Sequence, residues 1–244
     1  MTRTKGEALF EQYLGDRGIG FDYEVGEGGR RPDYRLKTAP AVYCEVKDFT
    51  FGPEERAEME GFHKGSRVGS KGPEALYDRI RDAIGKAAKQ LRTARGKPCV
   101  VVLHNAGSLM SLAPFLIGGA MFGDPAITVP LDGGELTPVF TGGRMLGDTK
   151  NTSVSAVAVL SRVNANQHLI DERLARLGPW QGPGLPTSDR VTAVVEAMTQ
   201  LLNEKPEAGL QVACLRIHHN PFALAPLPEE ILKGPNDQHF KFVR

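Results

Sequence analysis

Two short strings hold residue types that could do chemistry together: Pro32-Asp33 and, a little further on, Glu45-Val46-Lys47. Side chains alternate along a strand, so Glu45 and Lys47 share a face, and Asp33 on a neighbouring strand can reach it. Two carboxylates and an amine would then converge at one end of a hairpin. Hard oxygen donors from Asp33 and Glu45 suit Mg²⁺ or Mn²⁺, and the Val46 carbonyl can supply a third. A cation held there lowers the pKa of a bound water and stabilises charge on a phosphate. Lys47 can position the attacking water or neutralise the developing charge. The chemistry implied is phosphodiester hydrolysis. As a string the pattern is weak, so the elements around it have to decide.

Those elements can be read from periodicity. Leu9, Phe10, Tyr13 and Leu14 form an apolar arc that predicts a helix over 4–17, stopped by Gly18 and Gly20. Strands are expected over 21–25, 33–36 and 41–47, the last two as a hairpin. Residues 48–73 are polar and Gly-rich and read as a loop. The stripe Leu76, Ile80, Ile84, Ala87 and Leu91 predicts a helix over 74–94, ended by Gly96 and Pro98. The continuous apolar run Cys99–Leu103 then fits a strand buried on both faces after a crossover helix. Beyond it, 105–151 is Gly/Pro-rich with a short apolar helix near 112–122. A strand is expected over 154–160, helices over 167–177 and 189–203, and a last strand over 210–217. A tail with Pro221, Pro226, Pro228 and Pro235 reads as an arm packed along the surface. The fold class is α/β, a mixed central sheet flanked by helices.

This order of elements, with Asp33, Glu45 and Lys47 where they fall, resembles the PD-(D/E)XK (restriction-endonuclease-like) superfamily over residues 4–103. The first helix, GEALFEQYLGDRGI, resembles that of Holliday-junction-resolvase-like members. The resemblance implies a restriction-endonuclease-like core over 1–104, with 105–244 as a C-terminal elaboration of the same domain. It implies a metal-dependent nuclease with Asp33, Glu45 and the Val46 carbonyl on the cation and Lys47 assisting. It also implies an acid from the first helix. Counting back from Gly18 places that acid at Glu7, with Glu11 as second choice. A Gln, sometimes near a Lys, faces the site from the second helix in several branches. Gln90 takes that role here, with Lys86 and Lys89 beside it, and would orient water or phosphate.

Composition sets the remaining bounds. The formal net charge is +1, yet residues 64–97 hold ten Lys/Arg against three acids. Beside a metal site this stretch is a candidate phosphate-binding surface, with Lys64, Arg67 and Lys71 on the loop and Lys86 and Lys89 on the helix. DNA is the expected partner and RNA a possible one; a homodimer follows by analogy only. The main alternative is a noncatalytic nucleic-acid-binding or assembly module, against which the complete Asp/Glu/Lys set argues. A third is an unrelated α/β enzyme with a chance motif. Cys44, Cys99 and Cys214 sit in apolar runs without CxxC spacing, as expected of buried free thiols in a reducing compartment. With no apolar signal core or membrane span, the cytoplasm is expected. His104 and His218 follow strand-like runs and read first as polar caps, second as substrate contacts.

Overall fold

The computed structural model describes residues 2–24, 31–50, 73–106, 112–128, 137–141, 143–164, 199 and 211–242. The first helix, α1 (Lys5–Asp16), begins with a capping box. The Glu7 N–H donates to Thr4 Oγ1 (3.2 Å) and the Glu7 carboxylate accepts from the Thr4 N–H (2.7 Å). This reciprocal pair satisfies two amides left over at the helix start. Leu9, Phe10, Tyr13 and Leu14 are buried against the sheet. At the other end Gly18, at φ +65°, lets the Ile19 N–H turn back to the Leu14 carbonyl (2.9 Å).

Strands β1 (Phe21–Tyr23), β2 (Tyr34–Leu36) and β3 (Val42–Phe49) form an antiparallel meander. Helix α2 (Pro73–Leu91), continued by a 3₁₀ turn (Arg92–Ala94), crosses over to β4 (Cys99–Asn105). That strand runs parallel to β3, with Lys47 opposite Leu103 and Asp48 opposite His104. Every residue of β4 is buried except the last, so it is shielded on both faces, as its apolar run predicts. Cys99, Val101 and Leu103 pack toward α2, while Val100 and Val102 pack toward α1.

The sheet continues through the second half of the chain. Strand β7 (Ala156–Asn164) pairs parallel with β4, β8 (Gln211–His219) antiparallel with β7, and β9 (Gln238–Phe240) parallel with β8. The seven strands lie in the order β1-β2-β3-β4-β7-β8-β9. Helix α3 (Pro114–Phe122) packs on α2, and β5 (Asp124–Thr128) pairs with β6 (Thr137–Thr141) in a separate two-stranded sheet. The architecture is a mixed parallel and antiparallel sheet flanked by helices.

Three expectations are corrected. Strand β3 runs on to Phe49, so Asp48 belongs to the sheet and not to the loop; pairing with His104 and Asn105 extends it. The β5–β6 hairpin was not anticipated, because the Asp124-Pro125 start and a Pro138 within β6 read as turn residues. The Pro-rich tail is more than a surface arm. It buries Leu227, Ile231 and Leu232 in the core on the α1 side and adds the seventh strand. Asp237 pins it there, its carboxylate accepting from Tyr13 Oη (2.9 Å), Arg17 Nε and Nη2 (3.1 and 3.0 Å) and the Leu215 N–H (2.7 Å). The loop residues Lys64, Arg67 and Lys71 and the expected helices over 167–177 and 189–203 lie outside the described residues, apart from a helical Thr199. All three cysteines are buried and free. Among the described residues no helix is long and apolar enough to cross a membrane.

Candidate metal centre

Antiparallel pairing of β2 with β3 sets Tyr34 opposite Cys44, which brings Asp33, just before β2, beside Glu45. The two acids are wired to each other's backbone. Asp33 Oδ2 accepts from the Val46 N–H at 2.8 Å, and Glu45 Oε2 accepts from the Asp33 N–H at 3.2 Å. Lys47, one strand repeat beyond Glu45, donates from Nζ to Glu45 Oε1. Asp33, Glu45 and Lys47 therefore meet at one place. Strand β3 lies between β2 and β4 rather than at an edge, and Glu45 has 0% relative exposure.

Burial dominates the electrostatics. It pushes the Glu45 carboxyl up to about 7, against the hydrogen bond and charge of Lys47, while the neighbouring Asp33 charge pushes the same way as burial. Burial also raises Asp33, opposed by the Val46 N–H and Lys47 and reinforced by the charge of Glu7. A buried and a half-buried carboxylate thus share one ammonium. A donor set of hard oxygens with more negative than positive charge fits a divalent cation. Among the described residues no group of three His, Cys, Asp or Glu side chains is placed to hold a metal ion. Two carboxylates, the Val46 carbonyl and retained waters would be the donor set, which is how Mg²⁺ is commonly held.

The helix acids divide clearly. Glu7 is 7% exposed; beyond its cap to Thr4, its Oε1 accepts from Tyr23 Oη at 3.1 Å. Tyr23 pairs with Tyr34, the residue after Asp33, and the Glu24 N–H donates to the Asp33 carbonyl (2.7 Å). Glu11 is committed elsewhere: Oε1 accepts from Arg3 Nε at 2.6 Å and Tyr34 Oη at 2.9 Å. Glu7 is the acid whose charge reaches Asp33, although both its oxygens already hold a helix cap and a tyrosine.

Lys47 opens onto a cleft also lined by Asp48, Thr50, Arg79, Asp82 and Lys86. Arg79 donates to the Thr50 carbonyl and lies over the Phe49 ring. Lys86 pairs with Asp82 across a helical turn at 3.0 Å. Lys89 is exposed. Gln90 is half-buried on the same flank of α2, one turn past Lys86, and does not line the cleft.

The histidines go different ways. His218 is buried at 1% exposure, stacked on Phe240 with neither ring nitrogen bonded; burial, with Arg216 and His219, pushes it down to about 3. It is a packed neutral ring. His104 Nδ1 lies 2.6 Å from Asp48 Oδ1. That pair was missed in the sequence, although Asp48 directly follows Glu-Val-Lys and His104 directly follows the buried run. The Thr4-x-x-Glu7 cap was equally legible and equally missed.

No protein family matches the chain, and no curated protein or solved structure matches it.

Proposed function

We propose that this chain is a metal-dependent nuclease that hydrolyses phosphodiester bonds of DNA. The observation that carries the reading is the hydrogen-bonded set of buried Glu45, half-buried Asp33 and Lys47, of which Lys47 lines an open cleft. The strand order β1-β2-β3-β4 with a helix before it and a crossover helix within it supports a restriction-endonuclease-like core.

Asp33, Glu45 and the Val46 carbonyl would hold Mg²⁺ or Mn²⁺, with Glu7 adding negative charge behind Asp33. The bound cation supplies an acidic water and an electrophilic clamp on the phosphate. Lys47 orients the attacking water and offsets charge on the phosphate oxygens. Water attacks phosphorus in line, and the bond to the leaving oxygen breaks. Arg79, Lys86 and Lys89 would guide the backbone toward the cleft, and Gln90 would contact phosphate further along α2. The reading also carries a cytoplasmic location and a possible homodimer, by which both strands could be cut.

The test is a cleavage panel of supercoiled plasmid, linear duplex, single-stranded DNA, branched DNA and RNA with Mg²⁺ or Mn²⁺. Wild type should cut at least one DNA form, and Lys47→Ala should lose about 10²–10³-fold in rate. Undiminished cleavage by Lys47→Ala refutes the mechanism. Cation binding without cleavage of any form would favour the noncatalytic binding module, and cutting of RNA alone an RNA-directed nuclease.

A further inference from the structure

The Asp48–His104 pair lies outside the set just described, yet it touches the helix that carries Glu7. It joins the carboxyl ends of the parallel strands β3 and β4, where the two residues are directly opposite. The Asp48 carboxylate only accepts, so His104 Nδ1 carries the shared proton. Both side chains press on Gly6 in the first turn of α1. A Cβ there would lie 2.4 Å from Asp48 Oδ1 and 2.8 Å from His104 Cβ. No other residue type leaves room for that approach.

The first turn of α1 is therefore held at two points. On one side Glu7 takes the Tyr23 hydroxyl, on the strand next to Asp33. On the other Gly6 seats on Asp48 and His104, next to Lys47. The turn thus spans from β1 to the carboxyl ends of β3 and β4, and Asp48 lies at the N-terminal end of α1, the favourable end of the helix dipole for an acid.

We infer that Asp48 and His104 are positioning residues that seat the first turn of α1 and thereby set Glu7 against the Asp33–Glu45 site. The inference rests on the metal-site reading for its functional meaning. Partners hydrogen-bonded directly to metal ligands are worth about 10–100-fold in metal affinity, and a seat one contact further out should fall at the low end of that range.

The experiment compares wild type, His104→Leu, which loses the donor, and His104→Asn, which keeps one at the place of Nδ1. Each is made with Glu7 and with Glu7→Gln. Mn²⁺ affinity is read by calorimetry, and amide exchange of residues 6–8 against β3 and β4 by hydrogen–deuterium exchange. The expected result is about a tenfold weaker Mn²⁺ affinity in His104→Leu, recovered in His104→Asn, with no further loss when Glu7→Gln is already present. Exchange should rise in the first turn of α1 alone. Affinity within twofold of wild type, or a loss that multiplies independently with Glu7→Gln, overturns the inference. If wild type binds no Mn²⁺, the nuclease reading fails, and the seat is judged by exchange alone. Selective loss of first-turn protection in His104→Leu upholds it, and unchanged protection overturns it.

Discussion

Two buried carboxylate centres sit on this sheet, and their hydrogen-bond bookkeeping differs. Asp237, near the β9 edge, accepts four hydrogen bonds from Tyr13, Arg17 and the Leu215 amide, and its one charge meets one guanidinium. Asp33 and Glu45 share a single Lys47, and Glu7 adds a further negative charge nearby. The first centre is closed and balanced, and all it can do is hold the C-terminal arm against α1. The second is left short of positive charge, and its Lys47 opens onto a cleft. Burial of an acid does not mark a site; an acid group whose partners do not balance it does.

Breaking Asp237 should produce the largest stability change. Asp237→Ala leaves Arg17, whose side chain is 15% exposed, without its counter-charge and frees the tail from β8. A loss of about 3–5 kcal/mol is expected in urea unfolding. A loss under about 1 kcal/mol would erase the contrast between the centres.

Glu45→Gln should act with the opposite sign. The Glu45 carboxyl is raised from its ordinary 4.5 to about 7. Between those values the folded state binds more protons than the unfolded one, so Glu45 removes stability as pH rises through that window. Glu45→Gln deletes this cost and should stabilise the protein by about 1–3 kcal/mol at pH 8 while abolishing cation binding. Destabilisation by Glu45→Gln would mean the acid is structural, like Asp237.

His218 gives a control for burial alone, read on the acid side of the stability profile. Its folded pKa, about 3, lies below the ordinary 6.5, so the unfolded state takes the proton first. Its contribution to stability is lost as pH falls from 6.5 toward 3, by up to about 1.4 kcal/mol per pH unit. His218→Phe should flatten the acid limb of the stability profile and leave cleavage unchanged. An unchanged limb would show that the ring has a partner in solution.

Much of this was legible in the sequence. Helical periodicity located α1 and α2, β-forming residues located β3 and a continuous apolar run located β4, because each buries one face or both against a core. The Asp33–Glu45–Lys47 convergence followed from alternation on a hairpin. What escaped notice was carried by pairing across the sheet. The extension of β3 to Phe49 depends on β4, and the short β9 depends on β8, with no pattern of its own in Gln238–Phe240. Gln90 was placed by resemblance; it is half-buried on α2, one turn past Lys86, and does not line the cleft. Glu7 was placed by counting from Gly18; its cap to Thr4 is what fixes its side chain.

The central claim is that Asp33 and Glu45 form a divalent-cation site, and calorimetric titration with Mn²⁺ tests it most directly. Wild type should bind Mn²⁺ more weakly as pH falls below 7, as Glu45 takes a proton, and Asp33→Ala should lose that binding. Equal binding by wild type and Asp33→Ala, or binding by neither, would contradict the account.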